Sequence, residues 1–206
     1  MDYWNDIITE KSWEILQKIK KLPIDFILIG GWATYLWTKL HKSKDIDIII
    51  KNFDDLKYLK ENYDLRKNDR LKKYEIKIED IDIDIYVPYY SNLTMDISEI
   101  SKHTTKIENF SVVSPEVLLI LKQGAGKDRE YSLKGTKDRI DIVALLLFSE
   151  TDFKKYRELL EKFKLTNFRE RLKKILIGFK DINYLGLNPR KFKLKKEKVL
   201  RNIQVS

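Results

Sequence analysis

Two stretches of this chain alternate aspartate with isoleucine: Asp45-Ile46-Asp47-Ile48 and Ile81-Asp82-Ile83-Asp84-Ile85. Alternation with a period of two marks a β-strand that has one apolar face and one polar face. Asp45 and Asp47 therefore share a face, and Ile46, Ile48 and Ile50 fill a core on the other. The second stretch repeats the pattern and is stopped by Pro88. If the two strands lie in one sheet, three or four carboxylates converge. Such a cluster repels itself unless cations neutralise it. Asp84 adjoins the stronger apolar run Ile85-Tyr86-Val87 and is preferred over Asp82 as the third carboxylate.

Just ahead of the first stretch lies Ile29-Gly30-Gly31-Trp32-Ala33. Ile24 to Ile29 reads as a short strand and Gly30-Gly31 as a turn. Residues 32–40 read as a helix, with Ala33, Leu36, Trp37 and Leu40 at helical spacing. A glycine pair lets backbone approach a phosphate closely, and the helix start offers free N–H groups to it. Next to an acidic pair, this is a pattern that can hold divalent cations against a nucleoside triphosphate. Two cations ~3.5–4 Å apart clamp the attacking and leaving oxygens of an in-line phosphoryl displacement. Lys44, beside the pair, is a further candidate contact to the nucleotide. The chain has no cysteine and only two histidines, His41 and His103. A metal must then sit on carboxylate oxygens, which suits Mg²⁺ or Mn²⁺.

Elsewhere the order of elements is mixed at first and helical later. Residues 3–21 read as an amphipathic helix with Trp4, Ile8, Ile15, Ile19 and Leu22 on its stripe. Asn52 and Asp55 read as a capping box. One or two strands are expected over 63–79 and another over Thr104–Ile107. After Phe110 helices dominate: one from Ser114-Pro115-Glu116 toward Gly124, then about 137–148, one from Thr151, and 167–179. From Asp181 onward the chain reads as a tail. The expectation is an α/β core over 1–110, with a mixed sheet and flanking helices, and a helical domain with tail over 111–206.

These halves differ in charge. Residues 1–110 carry 18 Lys/Arg and 20 Asp/Glu, a balance of −2, whereas residues 111–206 carry 23 and 12, a balance of +11. A basic half attracts a polyanion such as RNA, and Arg190–Arg201, with Phe192 inside it, suits a nucleic-acid backbone with a stacked base. The acidic, polar N-terminus and the lack of a long apolar run argue against a signal peptide or a membrane span, and the absence of cysteine favours the cytoplasm.

The order Gly30-Gly31-Trp32-Ala33, Lys44-Asp45-Ile46-Asp47, Asp82-Ile83-Asp84 resembles the nucleotidyltransferase superfamily of DNA polymerase β-like folds. More narrowly, the chain is similar to the AbiEii/MenT-type toxin nucleotidyltransferases, over about residues 26–150. Their later lysine and Lys-Asp elements correspond to Lys122 and to Lys137-Asp138. The resemblance implies transfer of a nucleoside monophosphate from an NTP to a tRNA 3′ end by a toxin with an antitoxin protein partner. In it Asp45, Asp47 and Asp84 hold Mg²⁺. Asp45, Asp47, Asp84, Lys122 and Asp138 are catalytic. Gly30, Gly31, Lys44, Lys122 and Lys137 hold the nucleotide. Two departures stand out. A second glycine replaces the serine that the family often has in the turn. Gly124-Ala125-Gly126 also interrupts the helix after Lys122, which leaves the alignment of Lys127 and Arg129 open. On charge alone, Lys122 and Lys137 could neutralise phosphate oxygens, Asp138 could act as a base, and Arg129 and Arg139 are weaker phosphate candidates. Rival readings are transfer to a small molecule or a protein side chain, and a non-catalytic RNA-binding module.

Overall fold

The computed structural model describes residues 6–127 and 132–205. They form two compact units, Met1–Ser114 and Pro115–Ser206.

The first unit begins with α1 (Asp6–Ile19), β1 (Phe26–Ile29), α2 (Gly30–Thr38) and β2 (Ile46–Ile50). It continues with α3 (Phe53–Asn62), β3 (Arg66–Asn68), β4 (Lys73–Ile78) and β5 (Ile81–Tyr86). A short α4 (Ile97–Ile100), β6 (Thr104–Ile107) and β7 (Phe110–Val113) complete it. The seven strands make one mixed sheet in the order β3-β4-β5-β2-β1-β7-β6. β1 runs antiparallel to β2, and β2 runs parallel to β5. The alternation produces what it predicts: Ile46, Ile48, Ile83 and Ile85 are all buried. β1 has no alternation because the sheet and its helices cover it on both sides, and Ile27, Leu28 and Ile29 are buried together.

α2 is anchored from the core outward. Trp32 is fully buried, its indole N–H donates to Ser12 Oγ at 2.9 Å, and its ring packs on Trp13 and Tyr35. The Trp37 indole donates to the Val113 carbonyl at 2.8 Å. These two anchors fix where the glycine pair stands. α1 buries Ile15, Leu16 and Ile19 as its stripe requires, but Ile8 faces outward, and Trp4 lies outside the described residues. The expected capping box is absent at α3. Asn52 makes no side-chain cap, and the Asp55 carboxylate instead accepts from the Asp25 backbone N–H at 3.2 Å.

The second unit is helical: α5 (Pro115–Lys127), α6 (Leu133–Phe148), α7 (Phe153–Lys162), α8 (Asn167–Gly178), a 3-10 turn at Ile182–Leu185, and α9 (Pro189–Val205). Two sequence expectations are corrected here. α5 continues through Gly124-Ala125-Gly126 to Lys127. The segment after Asp181 is no tail: α9 buries Phe192, Val199 and Ile203 at helical spacing. Among the described residues, no helix is long and apolar enough to cross a membrane.

Candidate active site

The site begins where β1 hands over to α2. Gly30 opens the helix with φ +65°, and the N-cap residue Ile29 has no polar side chain to offer the first N–H groups of α2. The glycine pair is thus the first step of the helix rather than a separate turn before it. A Cβ on Gly30 would fall 2.0 Å from Asp47 Oδ2, so the Asp47 carboxylate occupies the space that any side chain at 30 would need. The register explains this, since Asp47 on β2 stands opposite Ile29, the last residue of β1. A carboxylate at the positive end of a helix is favourably placed.

On its other side Asp47 faces Asp84, its direct partner in the parallel ladder between β2 and β5. Direct partners share a sheet face, so the two carboxylates stand side by side. Burial is the larger cause, and the Asp47 charge the next, that push the Asp84 carboxyl up from 3.8 to about 6. Asp82, by contrast, is exposed and pairs in register with Lys77. Asp45 and Lys44 stand ahead of β2, exposed and half-buried respectively, so Asp45 lies outside the ladder that aligns Asp47 with Asp84. Among the described residues, no group of three or more acidic or histidine side chains is gathered tightly enough to hold a metal ion.

The row of charge continues past Asp84 into residues that the sequence patterns did not single out. Glu75 on β4 is the antiparallel partner of Asp84. Lys73 reaches between them, its Nζ 2.6 Å from Asp84 Oδ2 and 2.9 Å from Glu75 Oε1. Asn68 on β3 donates to the same Glu75 oxygen at 3.0 Å. Nothing local marks Lys73, which sits in a Lys-rich stretch; only the ladder brings it to Asp84. A hydroxyl also returns to the helix start from outside the turn. Ser43 is buried, and its Oγ lies 2.4 Å from where a Gly31 Cβ would stand.

A second charged cluster lies within the helical unit. Lys122 on α5 is buried and bonds Asp141 Oδ2 at 2.5 Å, with Asp138 Oδ1 at 3.7 Å, both on α6. Asp141 is thus the nearer partner of Lys122. Lys137 itself is half-buried on α6. The Arg139 guanidinium donates to Thr136 Oγ1 at 2.8 Å. Arg129 lies outside the described residues.

The carboxylate oxygens of Asp47 and Asp84 are the donor type that a hard divalent cation such as Mg²⁺ or Mn²⁺ takes. The start of α2 beside them is the kind of helix N-terminus that can receive a phosphorylated ligand.

Residues 7–167 match the model of a family described as nucleotidyltransferase of unknown function (DUF6036). JHP933 from Helicobacter pylori has a similar structure, with TM-score 0.56 and 14% identity over 98% of this chain and 95% of that one. A candidate nucleotidyltransferase from H. pylori gives TM-score 0.51 and 15% identity, over 96% of each chain. ANT(2")-Ia, in complex with adenylyl-2"-tobramycin, gives 0.49 and 17% identity over 77% of this chain and 97% of that one. At such identities the likeness is one of fold. No curated protein matches the sequence.

Proposed function

This chain belongs to the nucleotidyltransferase family of unknown function DUF6036, and from that premise we propose that it transfers a nucleoside monophosphate from an NTP to a hydroxyl of RNA. The observation that carries the reading is the Asp47–Asp84 pair, aligned on neighbouring parallel strands beside the glycine start of α2. Asp47 and Asp84 would hold Mg²⁺, with Asp45 ahead of the strand as a further ligand. When bound, the ion would supply charge neutralisation for the triphosphate and the leaving pyrophosphate. The Gly30 and Gly31 backbone and Lys44 receive phosphate oxygens. The acceptor oxygen attacks the α-phosphorus, the bond to the bridging oxygen breaks, and pyrophosphate leaves. The acceptor proton passes to Asp84, the carboxylate that completes the site. On the family resemblance, Lys122 and Lys137 would contribute positive charge toward the nucleotide, with Asp138 orienting them.

RNA as acceptor is supported by the +11 balance of residues 111–206 and by the exposed basic residues of α9. The resemblance to AbiEii/MenT-type enzymes favours a tRNA 3′ end as the acceptor and a toxin with an antitoxin partner as the role. The test is to incubate the protein with each labelled NTP, Mg²⁺ and total RNA, alongside Asp47→Ala and Asp84→Ala. We expect label in the tRNA fraction with wild type only and a loss of at least about 10³-fold in either variant, the scale of removing a main charge-stabilising group. Near-wild-type labelling by either variant would remove that residue from the mechanism. Label in no RNA would exclude RNA as the acceptor.

A further inference from the structure

Asp47, Asp84 and Glu75 stand in one row across β2, β5 and β4, because each is the direct partner of the next. Three partly buried carboxylates in a row need positive charge nearby. The chain supplies it from within. The Lys73 side chain is only 11% exposed and bonds Asp84 and Glu75 together. Among the described residues it is the one cation in ion-pair contact with Asp84. Asn68 donates to the same Glu75 oxygen that Lys73 bonds, so the carboxylate that steers Lys73 is itself held. An ammonium bonded to Asp84 Oδ2 and a divalent cation on that same carboxylate repel each other and compete for its negative charge.

We propose that Lys73 is a resident counter-ion of the site: it balances the Asp84 and Glu75 carboxylates in the metal-free protein and must give up Asp84 before a divalent cation can bind. The inference rests on the metal reading above. It makes the site a weak binder of bare cations, and it assigns the weakness to a single side chain. Lys73 is a positioning residue, acting through Asp84.

The experiment is a calorimetric titration of the full chain with Mn²⁺, without nucleotide, for wild type, Lys73→Gln and Lys73→Arg. Gln keeps a hydrogen-bond donor for Asp84 but removes the charge; Arg keeps the charge. The expected result is Mn²⁺ binding about tenfold tighter in Lys73→Gln, the size of effect from removing a unit charge a few ångströms from the ion in a partly solvated site. Lys73→Arg stays near wild type. A merely structural lysine would leave the affinity of Lys73→Gln unchanged, or lower it together with Lys73→Arg, and either result overturns the inference. Absence of Mn²⁺ binding in all three proteins overturns the metal reading itself, and the inference with it. A second measurement needs no variant: the ammonium resonances of wild-type protein followed during Mg²⁺ titration. One buried lysine signal should shift as the ion saturates, and saturation without any shift of a lysine overturns the proposal.

Discussion

Gly30 and Asp47 constrain each other more tightly than any other pair at the site. At φ +65° a side chain costs roughly 1–2 kcal/mol in backbone strain, and a Cβ there would collide with the Asp47 carboxylate. Gly30→Ala should therefore lower stability by about 2 kcal/mol and reduce transfer far more than that loss explains, because Asp47 must move. Denaturant midpoints and turnover measured on the same preparation check this. Asp84 gives a prediction of opposite character. Burial and Asp47 raise its carboxyl from 3.8 to about 6. Below about pH 4 it is protonated in folded and unfolded chains alike and costs nothing. Between there and pH 6 the unfolded chain releases the proton first, so stability falls as pH rises, by up to about 3 kcal/mol from this group. Melting temperature against pH in chelator should show that decline for wild type, and Asp84→Asn should flatten it and be the more stable protein at pH 7.

Among the elements, α5 and α6 are held by charge as well as by their apolar faces. Lys122 neutralises Asp141 and Asp138 in a buried setting, and removing one partner of such a cluster leaves uncompensated charge. Lys122→Met should cost about 3–5 kcal/mol, whereas Asp141→Asn paired with Lys122→Met should recover part of it. Chemical denaturation of the single and double variants measures this. Loss of activity in Lys122→Met alone therefore says little about phosphate contact, and activity must be compared with Lys137→Ala. Two helix starts in this unit are capped as their residues suggest. Ser132 accepts from the Gly135 N–H at 3.1 Å, and Asp152 from the Lys155 N–H at 3.0 Å. The Asp152 backbone N–H in turn donates to buried Glu116, so the first turn of α5 also fixes the start of α7.

At the scale of the whole chain, positive charge is concentrated after residue 110, and α9 shows how much of it is open to a partner. Lys195 is not free for RNA in the same sense as its neighbours: its ammonium donates to the Leu147 carbonyl at 2.9 Å and lies over Phe148. Phe192 is buried against Phe179 and is not available for stacking on a base. Lys191, Lys198 and Arg201 are exposed along one stripe, away from buried Phe192, Val199 and Ile203. Changing those three to Glu should leave melting temperature nearly unchanged. RNA affinity should fall, and its log–log dependence on salt should become shallower by about 0.7 for each single-strand phosphate that is no longer neutralised. Binding measured across salt concentrations for both proteins decides it; an unchanged slope would place any RNA-binding surface elsewhere than α9.

The sequence by itself determined the strands that carry Asp47 and Asp84, the glycine step into α2 and the helical character of the second half. Each of these is written in a short window, as a period of two, a period of 3.6 or a residue with special backbone freedom, and short windows survive without knowledge of partners. That Asp84 is less exposed than Asp82 was legible for the same reason, since its neighbours are the more apolar. Tertiary structure alone decided that Asp84 stands level with Asp47 and Glu75, that Lys73 reaches two of the three, and that Lys122 turns to Asp141. It also decided that a basic stretch with little local distinction becomes a packed helix. Those facts depend on ladder register and on which face of a helix meets a core. Both are set by contacts between residues far apart in the chain, where the energies of burial and charge pairing outweigh any local preference.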